Sequence, residues 1–262
     1  MDLWRVLRIP PTAWFTGFPA PMPASGVSTS VYRAATIDYM TRKKDQRRRA
    51  GTPRATAVTG TLRVIGGTLR GRPIAYSGES RTRPMKQRVR EAMFNLLGSR
   101  VIGTHVFDLF AGTGALAWEA LSRGAHRATL IERHFPTTRL IRENAASLGL
   151  TDRIDVVPGD TFVWGKRLAA GPAAASGEPP WLAFCSPPYD LYVSQLQPML
   201  ELLQKIVAIA PPLSVVVVEA DERFDPASLP TLFAWDVRSY PPAVLAVGEQ
   251  RPPSQSVATP SS

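Results

Sequence analysis

The chain has 262 residues, 44% hydrophobic and 20% charged, with 31 Lys and Arg against 21 Asp and Glu for a formal net charge of +10. That is apolar material for one α/β domain with additions, but no apolar run reaches the roughly 18 residues of a membrane span. The single cysteine, Cys185, excludes an intramolecular disulfide and a cysteine metal cluster, and His105, His126 and His134 share no ligand-like spacing, so no metal is expected.

The charge is uneven. Residues 1–58 carry 10 basic and 3 acidic side chains, residues 59–97 carry 8 and 2, and residues 98–262 carry 13 and 16. A basic front before a near-neutral remainder suggests a polyanionic partner, nucleic acid first. Residues 1–58, with prolines crowding 10–23 and TRKKDQRRRA at 41–50, read as an extension without a fold of its own, either a nucleic-acid arm or a solvated tail. Met40 directly precedes the basic run, so residues 1–39 could reflect a misassigned start. The apolar N-terminus is broken by prolines and arginines and lacks a clean signal-peptide core, which makes the cytoplasm the expected compartment.

Residues 61–74, TLRVIGGTLRGRPI, predict a two-stranded hairpin turning at Gly66-Gly67, with Arg63, Arg70 and Arg72 projecting from it. After a polar loop, Pro84 predicts a helix start; Val89, Met93, Leu96 and Leu97 form its apolar face and Gly98 its stop. Lys86, Arg88 and Arg90 lie in its first half, where cations oppose the helix dipole. A phosphate backbone facing them would account for that; solvated charge on an amphipathic helix is the plainer alternative.

Residues 105–125, HVFDLFAGTGALAWEALSRGA, are the stretch around which the rest is arranged. An apolar strand meets a turn of small residues, then a helical pattern with Leu116, Ala120 and Leu121. Without Cβ atoms at Gly112 and Gly114 the backbone can turn sharply and let a ligand lie against it, while the helix start offers free N–H groups. Asp108 falls near the strand's carboxyl end, where open α/β sheets bind ligands. Glu132 ends a second apolar run, ATLIE, twenty residues after Gly112, placed to accept from ribose hydroxyls. Gly112, Gly114 and Ala117 also fit the dinucleotide pattern, so this stretch alone leaves the ligand open.

A second helix over 135–148 follows, then a strand within RIDVVPGD ending at Asp160, an acid that could take an adenine amino group or cap a helix beginning at Thr161-Phe162. Phe162 could pack on the adenine ring. Residues 171–180 read as a loop, 181–185 as a buried strand, 191–209 as a helix and 213–220 as the most strand-like run, ending at Glu219. FAWDVRSY and AVLAVGE read as a closing hairpin across Pro241-Pro242, and 251–262 as a polar tail. Seven strands alternating with helices until a final hairpin predict a doubly wound, mostly parallel sheet with one antiparallel edge.

Ser186-Pro187-Pro188-Tyr189 follows the fourth strand of that sheet. Two prolines fix the backbone and remove two N–H groups, leaving carbonyl acceptors; Ser186 adds another and Tyr189 a flat face. Such a pocket suits a planar amine. Hydrogen bonds from both N–H groups would aim the nitrogen lone pair at a methyl sulfonium, and positioning would do most of the work. The target base would stack on Tyr189, flipped out or already unpaired. Cys185, at the end of a buried strand, reads as a packed thiol rather than a nucleophile.

DLFAGTG together with SPPY resembles the class I S-adenosylmethionine-dependent amino methyltransferases. LRVIGGTLRGRPI, RPMKQRVREAMFN, VFDLFAGTGALAWEALSRGA and the following IE resemble the RsmD family of small-subunit ribosomal RNA guanine-N2 methyltransferases, from about residue 61 to Tyr189 and more weakly to about 250. The resemblance implies a Rossmann-like seven-stranded sheet preceded by a small β-hairpin and helix. It implies that Asp108, Phe110, Gly112, Gly114, Glu132, Asp160 and Thr161 bind S-adenosylmethionine. Ser186, Pro187 and Tyr189 would hold the target guanine, and Arg63, Arg70, Arg72, Arg83, Lys86, Arg88 and Arg90 would grip RNA. The partner it implies is ribosomal RNA or a small-subunit assembly particle, bound by a monomer and without a membrane. Ser186 departs from the acidic residue or Asn usual in that family, and Met85 from its Thr; an SPPY version is more familiar among DNA amino methyltransferases acting on cytosine. The expected division is a basic extension over 1–58, an RNA-binding hairpin and helix over 59–98, a methyltransferase domain over 99–250 and a tail over 251–262. Alternative readings are a DNA amino methyltransferase, a catalytically silent RNA-binding assembly factor and, weakest, a dehydrogenase.

Overall fold

The structure, a computed structural model, describes residues 60–78, 85–168 and 178–250. The expectations for the extension over 1–58, for Arg83 and Pro84 and for the tail over 251–262 lie outside the described residues.

Nine strands form two sheets among the described residues. β1 (Gly60–Arg63) and β2 (Pro73–Tyr76) pair antiparallel. The other seven are β3 (His105–Asp108), β4 (Arg127–Glu132), β5 (Ile154–Pro158), β6 (Trp181–Cys185), β7 (Val215–Asp221), β8 (Phe233–Tyr240) and β9 (Ala243–Gln250), in the order β5-β4-β3-β6-β7-β9-β8. The five from β3 to β7 run parallel, and their short, nearly continuous apolar runs are what strands covered on both faces require. Side chains alternate between the faces: Val106, Leu182 and Phe184 join one apolar cluster, and Phe107, Ala183 and Cys185 the other.

The first face is covered by α1 (Gln87–Leu97), α2 (Ala115–Ser122) and α3 (Phe135–Leu148), through Met93, Phe94, Trp118 and Ile141 among others. Val64 and Ile74 of the hairpin belong to this same cluster, so hairpin, α1 and sheet share one core. The second face is covered by α4 (Thr161–Arg167), α5 (Leu191–Ser194) and α6 (Leu196–Ile209).

Three expectations are corrected in detail. The hairpin does not turn at Gly66-Gly67; a loop over 64–72 joins its strands and docks on α2, where Thr68 N–H donates to Ser122 O at 2.8 Å. Helix α1 begins at Gln87, with Lys86 at its N-cap. The single helix expected over 191–209 breaks at Gln195, because Pro198 can neither donate to the residue 194 carbonyl nor pass it without a clash. The closing hairpin makes the antiparallel edge of the sheet, as expected: β9 inserts between β7 and β8, and β8 forms the border. The residue types explain this. Ala243 to Val247 are largely buried apolar residues, suited to a flanked strand, whereas FAWDVRSY exposes most of its positions.

Candidate active site

Residues from several loops meet at the carboxyl edge of the parallel strands. After Asp108 the chain is tied to both neighbours of β3: Leu109 N–H donates to Phe184 O and Ala111 N–H to Ile131 O, each at 3.0 Å. The glycine turn follows, closed by Gly114 N–H on Ala111 O at 2.7 Å. Both glycines have left-handed backbones, φ 51° at Gly112 and 73° at Gly114, but for different reasons. A Cβ at Gly114 would lie 2.7 Å from the Trp118 indole nitrogen, whereas one at Gly112 would meet only Phe110 O, at 4.0 Å. Gly114 is needed for packing, and Gly112 keeps the mouth of the turn open. Glu132 is half-buried and accepts from Gly112 N–H at 2.8 Å and His134 N–H at 2.7 Å, so it braces the turn from the next strand.

Asp108 is 1% exposed, and its Oδ2 has no hydrogen-bond partner. Burial pushes its pKa up to about 7; the Ala117 amide in the first turn of α2 pulls it down, and the Glu132 charge adds to the rise. An orphaned buried carboxylate oxygen beside an open turn calls for a cationic or hydrogen-bond-donating partner. S-adenosylmethionine, with its ammonium and sulfonium charges, meets that requirement, and the acid Glu132 fits a ribose.

On the far side, Asp160 caps α4, its Oδ1 accepting from Phe162 N–H at 2.9 Å and Val163 N–H at 3.1 Å. Thr161 is buried, and its hydroxyl donates to Leu109 O, which ties α4 to the end of β3 and leaves that hydroxyl turned inward. Phe110 and Phe162 stand edge to face, centroids 6.0 Å apart, between the glycine turn and α4.

The Ser186–Tyr189 segment leaves β6 on the other side of β3, Pro187 buried and Pro188 exposed. In the register Cys185 pairs with Val218, which sets Ser186 beside Glu219. The Ser186 hydroxyl donates to Glu219 Oε2, and the Tyr189 hydroxyl donates to Oε1 at 2.8 Å. Glu219 is 5% exposed; burial raises its pKa, and the two hydroxyls pull back. Burial and the Glu219 charge likewise raise the Tyr189 phenol. In the sequence Glu219 reads only as the end of a strand. The available signal is an acid closing a Val-rich run at the ligand edge. Cys185 is buried, its thiol pushed up to about 12 by burial, as a packed core group.

The arginines divide. Arg63, Arg70, Arg72, Lys86 and Arg88 are exposed. Arg90 is 2% exposed, which corrects its expected place among RNA-gripping residues. Its guanidinium donates to Arg63 O at 3.0 Å and lies 4.0 Å from Glu119, itself 1% exposed. Glu119 also accepts from Ile65 and Gly66 N–H, both at 2.8 Å, and pairs with Arg123 at 2.9 Å. A carboxylate buried on α2 therefore organises the hairpin loop, and Arg90 serves that network. Among the described residues no cluster of His, Cys, Asp and Glu could hold a metal ion, and no helix is long and apolar enough to cross a membrane.

The family described as Conserved hypothetical protein 95 matches residues 62–246. Ribosomal RNA small subunit methyltransferase D of Escherichia coli K12 is 42% identical over 90 residues, 34% of this chain and 46% of that protein. The chain spans about half the length of the curated relatives it matches, 54% and 46% for the first two. Among solved structures, Escherichia coli yhhF is 26% identical with a TM-score of 0.59, covering 73% of this chain and 98% of that one. The hypothetical protein TTHA0928 of Thermus thermophilus is 27% identical with a TM-score of 0.56, covering 72% of this chain and 99% of that one.

Proposed function

From the premise that the chain belongs to the Conserved hypothetical protein 95 family, the RsmD family, we propose that it methylates the exocyclic N2 amine of a guanine in small-subunit ribosomal RNA, free or in an assembling particle, in the cytoplasm. The carrying observation is a juxtaposition on neighbouring strands. An open glycine turn with the orphaned Asp108 oxygen closes β3, and the Ser186–Tyr189 ledge closes β6. One side suits a cationic donor, the other a planar amine. The name of the Escherichia coli relative supports the choice of substrate.

S-adenosylmethionine would supply an electrophilic methyl carbon bound to sulfur. Asp108 and the Gly112 turn would hold its methionine end, Glu132 its ribose, and Asp160 with the Phe110 and Phe162 rings its adenine. Ser186 Oγ, whose own hydrogen points to Glu219, presents its lone pairs to the N–H of the base. The Tyr189 ring, fixed through its hydroxyl, offers the stacking face. Positioning of this kind converts a delocalised, weakly nucleophilic amine into one aimed at the methyl carbon. The five exposed basic residues of the hairpin and α1 would contact phosphates.

The decisive experiment is mass mapping of small-subunit RNA from cells lacking the gene. One guanine should lose its N2-methyl group, and an unchanged map would overturn the proposal. With purified protein, Tyr189→Ala should abolish methyl transfer while calorimetric affinity for S-adenosylmethionine stays near wild type. A second reading, methylation of a DNA amine, is favoured by Ser186 alone; transfer to duplex DNA in preference to RNA would establish it.

A further inference from the structure

The ledge stands on a buried carboxylate. Glu219 ends a run of four valines on β7, faces Leu245 of β9 in the register, and is 5% exposed. Among the described residues no cation pairs with it. Its two oxygens accept from the two side chains that would touch the base, Ser186 and Tyr189. Burying a carboxylate without a cation is expensive, and an apolar residue would pack this strand end at lower cost. Hydrogen-bond geometry suggests why an acid stands there. A serine hydroxyl has one hydrogen; while Glu219 holds it, the Oγ lone pairs must face outward.

Building on the methyl-transfer reading, we infer that Glu219 is a positioning residue acting through Ser186, which holds the Ser186 hydroxyl proton and receives it as the target amine gives up its own. The amine lone pair forms the new N–C bond as the C–S bond of the donor breaks, its electron pair remaining on sulfur. The cationic nitrogen then passes a proton to Ser186 Oγ while the Ser186 proton moves to Glu219, which ends neutral. Release of that proton to water restores the site. The other titratable groups near Glu219 are Tyr189, Tyr192 of α5, Cys185 of β6 and Asp221 on its own strand; β9 contributes the apolar Leu245. None supplies a positive charge, so burial holds the Glu219 proton affinity up, as a group that must take a proton and return it requires.

The test is single-turnover methyl transfer from saturating S-adenosylmethionine to small-subunit RNA by the full chain, measured against pH. The wild-type rate should rise with pH through one ionisation to a plateau. Glu219→Gln should lose that rise and about 10²-fold of the plateau rate, with cofactor affinity within about threefold of wild type. Ser186→Ala should lose the same rise, and the double variant should be no slower than Ser186→Ala. Glu219→Gln with the wild-type rate and pH profile, or losses that multiply in the double variant, would overturn the inference. Should Glu219→Gln not fold, the Ser186→Ala profile decides: a retained rise refutes an acid acting through that hydroxyl. A wild-type protein that binds no S-adenosylmethionine and methylates no small-subunit RNA refutes the proposed function itself. A wild-type protein that methylates while Glu219→Gln is indifferent refutes only the role of Glu219.

Discussion

Replacing each of the two turn glycines by alanine should separate stability from ligand binding. At Gly114, φ 73° costs any L side chain about 1–2 kcal/mol. The added methyl would also lie 2.7 and 2.9 Å from two atoms of the Trp118 indole and 3.0 Å from Leu130 Cδ2. That indole cannot retreat, since Trp118 is completely buried and its N–H donates to Thr113 O at 3.0 Å. Overpacking of this kind adds about 1–3 kcal/mol. The total, about 2–5 kcal/mol, corresponds to a fall in Tm of about 5–20 °C for a unit of this size. At Gly112 the new methyl meets nothing closer than 4.0 Å, so only the backbone term of about 1–2 kcal/mol applies. That methyl points into the open mouth, and S-adenosylmethionine affinity should fall by more than about tenfold. Thermal unfolding without ligand and calorimetry with it give both quantities. Equal melting temperatures for the two variants, or wild-type affinity in Gly112→Ala, would refute the division of labour between these glycines.

Asp108 makes unliganded stability fall as pH rises from about 4 to about 7, because its folded pKa of about 7 lies above the ordinary 3.8 and the folded state holds its proton longer. Asp108→Asn should remove that loss in denaturant midpoints measured across the window, while weakening S-adenosylmethionine binding above pH 7. Arg88→Glu should leave Tm within about 1 °C but lower RNA affinity and flatten its dependence on salt by about one to two ions; a filter-binding salt titration reads this. Arg90→Ala should instead cost about 0.5–3 kcal/mol in chemical denaturation, through the lost hydrogen bond to Arg63 O and the space its buried side chain leaves, since Glu119 keeps Arg123 and two amides. Glu119→Gln should speed hydrogen exchange at the Ile65 and Gly66 amides while the amides of β6 stay protected.

Strand β6 was legible because burial on both faces demands an unbroken apolar run, and β8 because Pro241-Pro242 sets off the closing hairpin; WLAFC and FAWDVRSY coincide with them to the residue. Helix α3 was legible because Leu140, Ile141 and Leu148 mark its inward face, and all three are buried. What escaped depended on partners distant in the chain. Arg90 reads as a surface charge beside Val89, yet Arg90, Phe94 and Leu97 also fall at helical spacing, and only Glu119 on another helix explains why a guanidinium sits on that stripe. Glu219 likewise acquires its place from Ser186 and Tyr189, thirty-odd residues earlier, once β6 and β7 lie side by side. The swapped order of the closing hairpin was present in the contrast between an apolar β9 and a charge-bearing β8, though reading it requires asking which of two strands tolerates a neighbour on each side.

The clasp at Glu119 and Ser122 and the turn at Gly114 lie toward opposite ends of one short helix, α2, whose eight residues span about 12 Å. The loop that carries Arg70 and Arg72 and the rim that carries Gly112 are thus two jaws of a calliper mounted on a single beam. Lengthening the beam by one residue would advance one jaw by about 1.5 Å and swing it through about 100°. Under the proposed function the spacing between the RNA-contacting loop and the methyl donor is set once, when the chain folds, and a strand held at one jaw arrives at the other already measured.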